Sequence, residues 1–257
     1  MTEEPYRWVE AISNRREYIE HQLSGGSPIV ALTYGDGILF LTLSRERQKI
    51  FEIYDRIAMG AIGHPGDIER LRMAAIEVAS TEGFTRSTQD VSLRRLATYS
   101  LSPALKAAFE QIYGPPYLAR MLFAELGREG EGNLLTRLDF DGTMHTSGGP
   151  QLRTFEEFGV LAATAAQASA MERHLAGAQH SDKGLEAALR VALDAWTIGF
   201  LSREEHEAPT AEEVAKAKTE QLGDAVLEVA VLERSARQAT TYRAVGEAEV
   251  KKAIGEN

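Results

Sequence analysis

Apolar residues recur with a helical period at the start of the chain. In "PYRWVEAISNRREYIEHQL", residues 5–23, Trp8, Ile12, Ile19 and Leu23 share one face, and Glu10, Arg16 and Glu17 lie on the other. Ser24-Gly25-Gly26 stops this helix, because glycine readily takes the left-handed turn that a helix end needs. Apolar runs at 28–34 and 37–43 then read as two strands joined by the hairpin turn "YGDG". Residues 49–55 alternate, and "IAMGAIG" at 57–63 reads as a small-residue strand buried on both faces.

The helical period returns in "GHPGDIERLRMAAIEVASTEGF", with Ile68, Leu71, Ala75 and Val78 as its stripe and Gly66-Asp67 as its expected cap. A second helix from near Asp90 places Leu93, Ala97, Leu101, Leu105, Phe109 and Ile112 inward. Pro103 should kink it or restart it after Ser102. Strands are expected at 117–125, 133–139 and 142–146, with "DFDGT" as the turn between the last two, and near 157–163. Helices follow at 164–176 and about 183–201, the latter with Leu185, Leu189, Ala192 and Trp196 inward. Residues 203–222 are polar and read as inserted, and Thr210 and Glu213 form a capping box, so part of the segment is expected to be helical. "AVLEVAVLE", "ATTYRAV" and a short helix from Gly246 close the chain. Strands and helices thus come in blocks, which argues for sheets sandwiched between helical layers and against a doubly wound parallel fold.

Composition narrows the chemistry. The chain has 257 residues, 44% of them hydrophobic, enough for a real core. It has no cysteine, which excludes disulfides, thiolate nucleophiles and cysteine-ligated zinc. A net charge of −10 disfavours broad contact with nucleic acid. The acidic start "MTEEPYRWVE" is no secretory signal, and no run of eighteen apolar residues could span a membrane, so a cytoplasmic protein is expected.

No phosphate-binding Walker loop, HExxH zinc motif or GxSxG elbow occurs. "GREGEG" at 127–132 lies between strands and reads as a loop. His174 and His180 are six apart, the wrong spacing for one helical face, and are expected at the surface. "EEHE" at 204–207 reads as a solvated loop, and Asp139 and Asp141 have a turn to build before any acid–base work. No metal or other cofactor is expected.

In order, "SPIVALTYGDGILFL", "KIFEIYDRIAMGAIG", "GDIERLRMAAIEVASTEGF", "RLDFDGTM" and "LEVAVLERSARQATTYRAVGEAEVKKAI" resemble the proteasome core-particle subunits, and most nearly the bacterial α-subunits. The resemblance covers most of the chain, with 126–132 and 203–222 as insertions. It implies an α+β, N-terminal-nucleophile hydrolase fold, a four-layer αββα sandwich of two antiparallel sheets between helices. One domain would span 1–257: a tail and extra helix at 1–23, then the sandwich.

Active β-type members of that family free an N-terminal threonine, supported by an aspartate on the second strand and a lysine on the third. Here Ser27 falls at the nucleophile's place behind Gly26, and a serine freed there could use its own amine as base. Leu43 fills the aspartate's place, Pro28 removes a backbone N–H beside Ser27, and residues 5–23 match the extra helix of α-subunits. The resemblance therefore implies an α-subunit with no activity of its own. It would form a heptameric outer ring, dock a catalytic β-ring, restrict the entry of unfolded protein substrates and bind a ring-shaped AAA ATPase.

Lys49 would line a pocket between neighbouring subunits and receive the ATPase's C-terminal carboxylate there in a charge-assisted hydrogen bond, with Gly63 giving room and His64 adding polarity. Without the resemblance, Lys49 reads as an exposed strand-edge lysine and Gly63 as the end of a strand. Trp8, Ile12 and Ile19 are expected to be partly covered by other chains, and residues 1–4 to stand over the axial pore. Two alternatives remain open: an active self-compartmentalising peptidase that uses Ser27 with Lys49 after autocleavage, and a ring scaffold without proteolysis.

Overall fold

A computed structural model of the chain describes residues 4–45, 47–111, 113–148, 157–203, 208–236 and 240–255. Helix α1 (Glu4–Leu23) leads into strands β1 (Ile29–Tyr34), β2 (Gly37–Ser44), β3 (Ile50–Tyr54) and β4 (Ile57–Gly63). Helices α2 (Pro65–Thr85), α3 (Leu93–Leu96) and α4 (Ser102–Glu110) follow, then β5 (Ala119–Glu125), β6 (Leu134–Leu138), β7 (Met144–Gly148) and β8 (Phe158–Leu161). Helices α5 (Ala165–Gly177), α6 (Leu185–Leu201) and α7 (Ala211–Asp224), strands β9 (Val226–Glu233) and β10 (Tyr242–Ala244) and helix α8 (Glu247–Ile254) complete the described chain.

The strands form two antiparallel five-stranded sheets, in the orders β10-β9-β2-β1-β8 and β3-β4-β5-β6-β7. Alternation along β1 shows why its residues read as an unbroken apolar run. Ile29 and Ala31 meet the second sheet alongside Phe40, Leu122 and Leu161. Val30 and Leu32 instead face Leu189, Trp196 and Met171 on the helices. Both faces are buried, so both parities must be apolar. On the far side of the second sheet, Met59, Ala61 and Phe123 pack with Leu71, Ala75 and Leu105 of α2 and α4. The result is the αββα sandwich.

Several local expectations change. Helix α2 starts from His64 with Pro65 in its first turn and has no side-chain cap. Proline fits there because it lacks an N–H that the first turn would leave unpaired. The carboxylate of Asp67 instead accepts from the Leu118 backbone N–H at 3.0 Å. The helix expected from Asp90 is broken: α3 ends in a π-turn over Ala97–Leu101, and α4 restarts at Ser102 with Pro103 in its first turn. His180 is buried, not exposed, with Nδ1 2.7 Å from the Thr33 carbonyl oxygen. His174 is half-buried.

Asp139 and Asp141 form no catalytic pair, for each is held by an arginine: Arg120 Nε donates to Asp139 at 2.6 Å and Arg16 to Asp141 at 2.7 Å. Residues 1–3, Ile112 and the "EEHE" run at 204–207 lie outside the described residues.

Candidate functional site

A cavity of about 750 Å³ opens where the heads of β1 and β3 meet the ends of α1, β2, β4, α6 and α7 and the start of α2. Ser27, Lys49 and Gly63 all line it, so three positions far apart in sequence share one space. His64 does not: it is exposed, its N–H donates to Leu118 O at 2.7 Å and its carbonyl accepts from Asp67 and Ile68, so it serves the start of α2.

The head of β1 is tied down. Gly26 N–H donates to Leu23 O at 2.9 Å and closes the end of α1. The carbonyl of Pro28 accepts from Thr42 Oγ1 at 2.7 Å and from Trp196 Nε1 at 2.9 Å. The Ser27 hydroxyl donates to the Leu43 carbonyl at 2.9 Å. Leu43 itself turns its side chain into the apolar core between sheet and helices, where it can orient no lysine.

Lys49 approaches the same carbonyl from β3, with Nζ 3.4 Å from Leu43 O. An ammonium has three N–H donors, so two remain for a ligand. Burial lowers the Lys49 pKa below the usual lysine value, and the negative charge of Glu228 partly opposes that shift. Around the cavity stand Arg45, Arg47 and Arg203 against a single lining carboxylate, Glu69. Apolar walls come from Leu23, Phe51, Ile62, Ile68, Trp196 and Phe200. Such a site suits an anionic group on an apolar body.

Gly63 has a backbone reason to be glycine. Its φ is +136°, and a Cβ there would lie 2.1 Å from Leu118 O. Among the described residues no cluster of three or more His, Asp or Glu side chains could hold a metal, and no helix is long and apolar enough to cross a membrane.

Helix α1 divides along its length. Trp8 is 46% exposed and Ile12 half-buried. Ile19, expected to be partly covered by other chains, is already enclosed within this chain by Leu23, Phe109 and Phe140 and has no surface left to cover. Arg16 caps this cluster, stacked 5.3 Å from the Phe109 ring centre.

Within 203–222 the Thr210–Glu213 capping box does start a helix, α7, whose Ala217 is buried and whose Lys218 pairs with Asp194 on α6; its Gln221 and the following Ala225 line the cavity, which the sequence did not indicate. Nor did the sequence single out Glu228, whose carboxylate reaches from β9 to the backbone N–H groups of Lys49 and Ile50 at 2.8–3.0 Å. The one charged residue inside the apolar run "VLEVAVL" was the available signal.

The proteasome subunit family model matches residues 23–148. A proteasome subunit alpha of Kineococcus radiotolerans is 31% identical over 236 residues, covering 91% of this chain and 90% of that one. The corresponding subunit of Actinosynnema mirum is 33% identical over 232 residues, covering 88% and 77%. That of a Nocardioides species is 29% identical over 249 residues, covering 96% and 87%. Extended likeness of this kind, on a sandwich of two antiparallel sheets between helices, shows that the chain belongs to the proteasome subunit family, among its bacterial α-type members.

Proposed function

We propose that the chain is a non-catalytic α-type subunit that builds the heptameric outer ring of a cytoplasmic bacterial proteasome. That ring docks the catalytic β-ring, restricts the passage of unfolded substrates and binds a ring ATPase. In this reading the Lys49 cavity receives the ATPase's C-terminus: the ammonium takes the terminal carboxylate and the apolar walls take the last side chains. The observation that carries it is the Lys49 ammonium in an apolar, largely basic cavity with donors to spare. A carboxylate meeting an ammonium in such a place forms a charge-assisted hydrogen bond, shorter and stronger than a neutral one.

The same cavity favours one competing reading. Ser27 and Lys49 meet at one carbonyl, as a nucleophile and its supporting lysine would. Against it, release of Ser27 would remove α1, whose Ile19 and Leu23 are wholly buried. Each such side chain stabilises by about 1.5–3 kcal/mol. A disposable leader has no reason to carry them. Under the proposal Trp8 and Ile12, on the exposed half of α1, face neighbouring subunits.

The test is co-expression with a proteasome β-subunit followed by negative-stain microscopy and N-terminal sequencing. A seven-fold ring with the α-type chain still carrying α1 is expected. A chain that begins at Ser27, or failure to assemble with any β-ring, overturns the proposal. Lys49→Ala should leave the ring intact and remove stimulation of peptide cleavage by the ATPase.

A further inference from the structure

At Lys49, which lines the cavity, a contact joins the two sheets. Strand β9 belongs to the first sheet, where Glu228 pairs in register with Thr42 of β2; β3 is the edge of the second. Both oxygens of the Glu228 carboxylate lie 3.0 Å from the Lys49 backbone N–H, and Oε1 is 2.8 Å from that of Ile50. These are the backbone groups at the very start of β3, from which the Lys49 side chain projects to Leu43 O. One carboxylate thus fixes the origin of the lysine while Leu43 fixes its tip.

We propose that Glu228 is the positioning residue of this cavity, setting both the place and the charge of the Lys49 ammonium for an incoming carboxylate. The inference rests on the reading of Lys49 given above. Burial raises the Glu228 pKa, and the two N–H groups converging on the carboxylate oppose that by favouring its charged form, without using any N–H of the ammonium. Glu228 therefore lends its charge to Lys49 while leaving the ammonium's donors for the ligand. The carboxylate bonds to the Lys49 backbone N–H, and its attraction for the ammonium acts through space.

Other charges face the same place: Arg45 and Arg47 before β3, Glu69 of α2 and Arg203 after α6 line the cavity. Tyr242 of β10, whose hydroxyl is 3.4 Å from Ile50 O, stands near both Glu228 and Glu52 of β3. Burial disfavours a charged Lys49; Glu228, joined to the adjacent backbone, is the carboxylate placed to offset it. Burial lowers the Lys49 pKa and Glu228 raises it, so removing the Glu228 charge must lower it further.

The experiment compares wild-type full-length protein with Glu228→Gln, Glu228→Asp and Lys49→Ala. The probe is an acetylated pentapeptide of glycine and leucine with a free C-terminal carboxylate. Peptide affinity is read by calorimetry across pH, and the Lys49 titration by NMR of carbon-13 at Cε. Glu228→Gln is expected to move the Lys49 midpoint to lower pH and to shift the alkaline loss of peptide binding with it. A merely structural residue would weaken binding without moving the midpoint, and an unmoved midpoint overturns the inference.

Should Glu228→Gln fail to fold, Glu228→Asp decides. It keeps the charge but draws the carboxylate back by one methylene, so the midpoint should stay near wild type while affinity falls. Affinity equal to wild type overturns the inference. Lys49→Ala separates the two layers: peptide binding equal to wild type there refutes the cavity reading itself, whereas the Lys49 midpoint in Glu228→Gln judges Glu228 either way.

Discussion

Two strand heads enter one cavity and meet at one carbonyl, yet they are left in different chemical states. At the head of β1, Ser27 gives its only hydroxyl proton to Leu43 O and sits inside a peptide chain closed by Gly26 on Leu23. At the head of β3, Lys49 offers one of three N–H groups to that same oxygen and keeps the others. Ser27 is held by the fold; Lys49 is displayed by it. Lining a cavity is therefore not the same as being available within it. What separates the two is how many donors remain after the fold has been satisfied.

The largest expected effect lies at α1. If the helix is a permanent part of the β1 head, Ile19→Ala should destabilise by about 2–5 kcal/mol, the usual cost of emptying an enclosed aliphatic site. Trp8→Ala, on the exposed half, should stay within about 0.5 kcal/mol and act on ring assembly instead. Denaturant unfolding measures both, and a small Ile19 effect would revive α1 as a leader to be cut away.

Lys49→Ala comes next. Loss of a hydrogen bond to a charged group costs about 1.5–3 kcal/mol, so binding of a peptide carboxylate should fall at least about tenfold. Stability should change little, and calorimetry together with unfolding separates the two effects.

pH sharpens the same point more gently. Binding needs the charged lysine, so it persists below the folded Lys49 pKa and is lost as pH rises through it. Burial has lowered that pKa, so the loss begins at lower pH than for an ordinary lysine. Above the midpoint the affinity should drop by about tenfold per unit, the slope of one required proton. Affinity that stays flat to strongly alkaline pH would exclude an ammonium as the recognising group.

The smallest effect belongs to Ser27→Ala. It removes one hydrogen bond, worth about 0.5–1.5 kcal/mol of stability. It should leave peptide binding and ring-linked proteolysis unchanged, as peptide-cleavage assays would show.

Much of this was legible in the chain for a physical reason. Strands such as β1 and β4 are buried on both faces and so read as unbroken apolar runs, and α1 carried its stripe plainly. What the pattern hid was three-dimensional. The burial of Ile19 depends on Phe109 and Phe140, far along the chain, and not on another subunit. Helix α7 seats on the core through buried Ala217, half-buried Leu222 and the Lys218–Asp194 ion pair, too few apolar positions to show in a polar segment. Glu228 could be read as an oddity in an apolar strand, but its partner follows only from the register of β9 on β2 and the approach of β3. His64 follows Gly63 in sequence yet belongs to the start of α2, because the chain turns at Gly63.

The most direct measurement is a calorimetric titration of wild type, Ser27→Ala and Lys49→Ala with one short apolar peptide, supplied as the free carboxylate and as the C-terminal amide. Wild type and Ser27→Ala are expected to bind the carboxylate alike, Lys49→Ala to bind it at least about tenfold more weakly, and all three to bind the amide poorly. Equal binding of carboxylate and amide, or full binding by Lys49→Ala, would contradict the Lys49 reading.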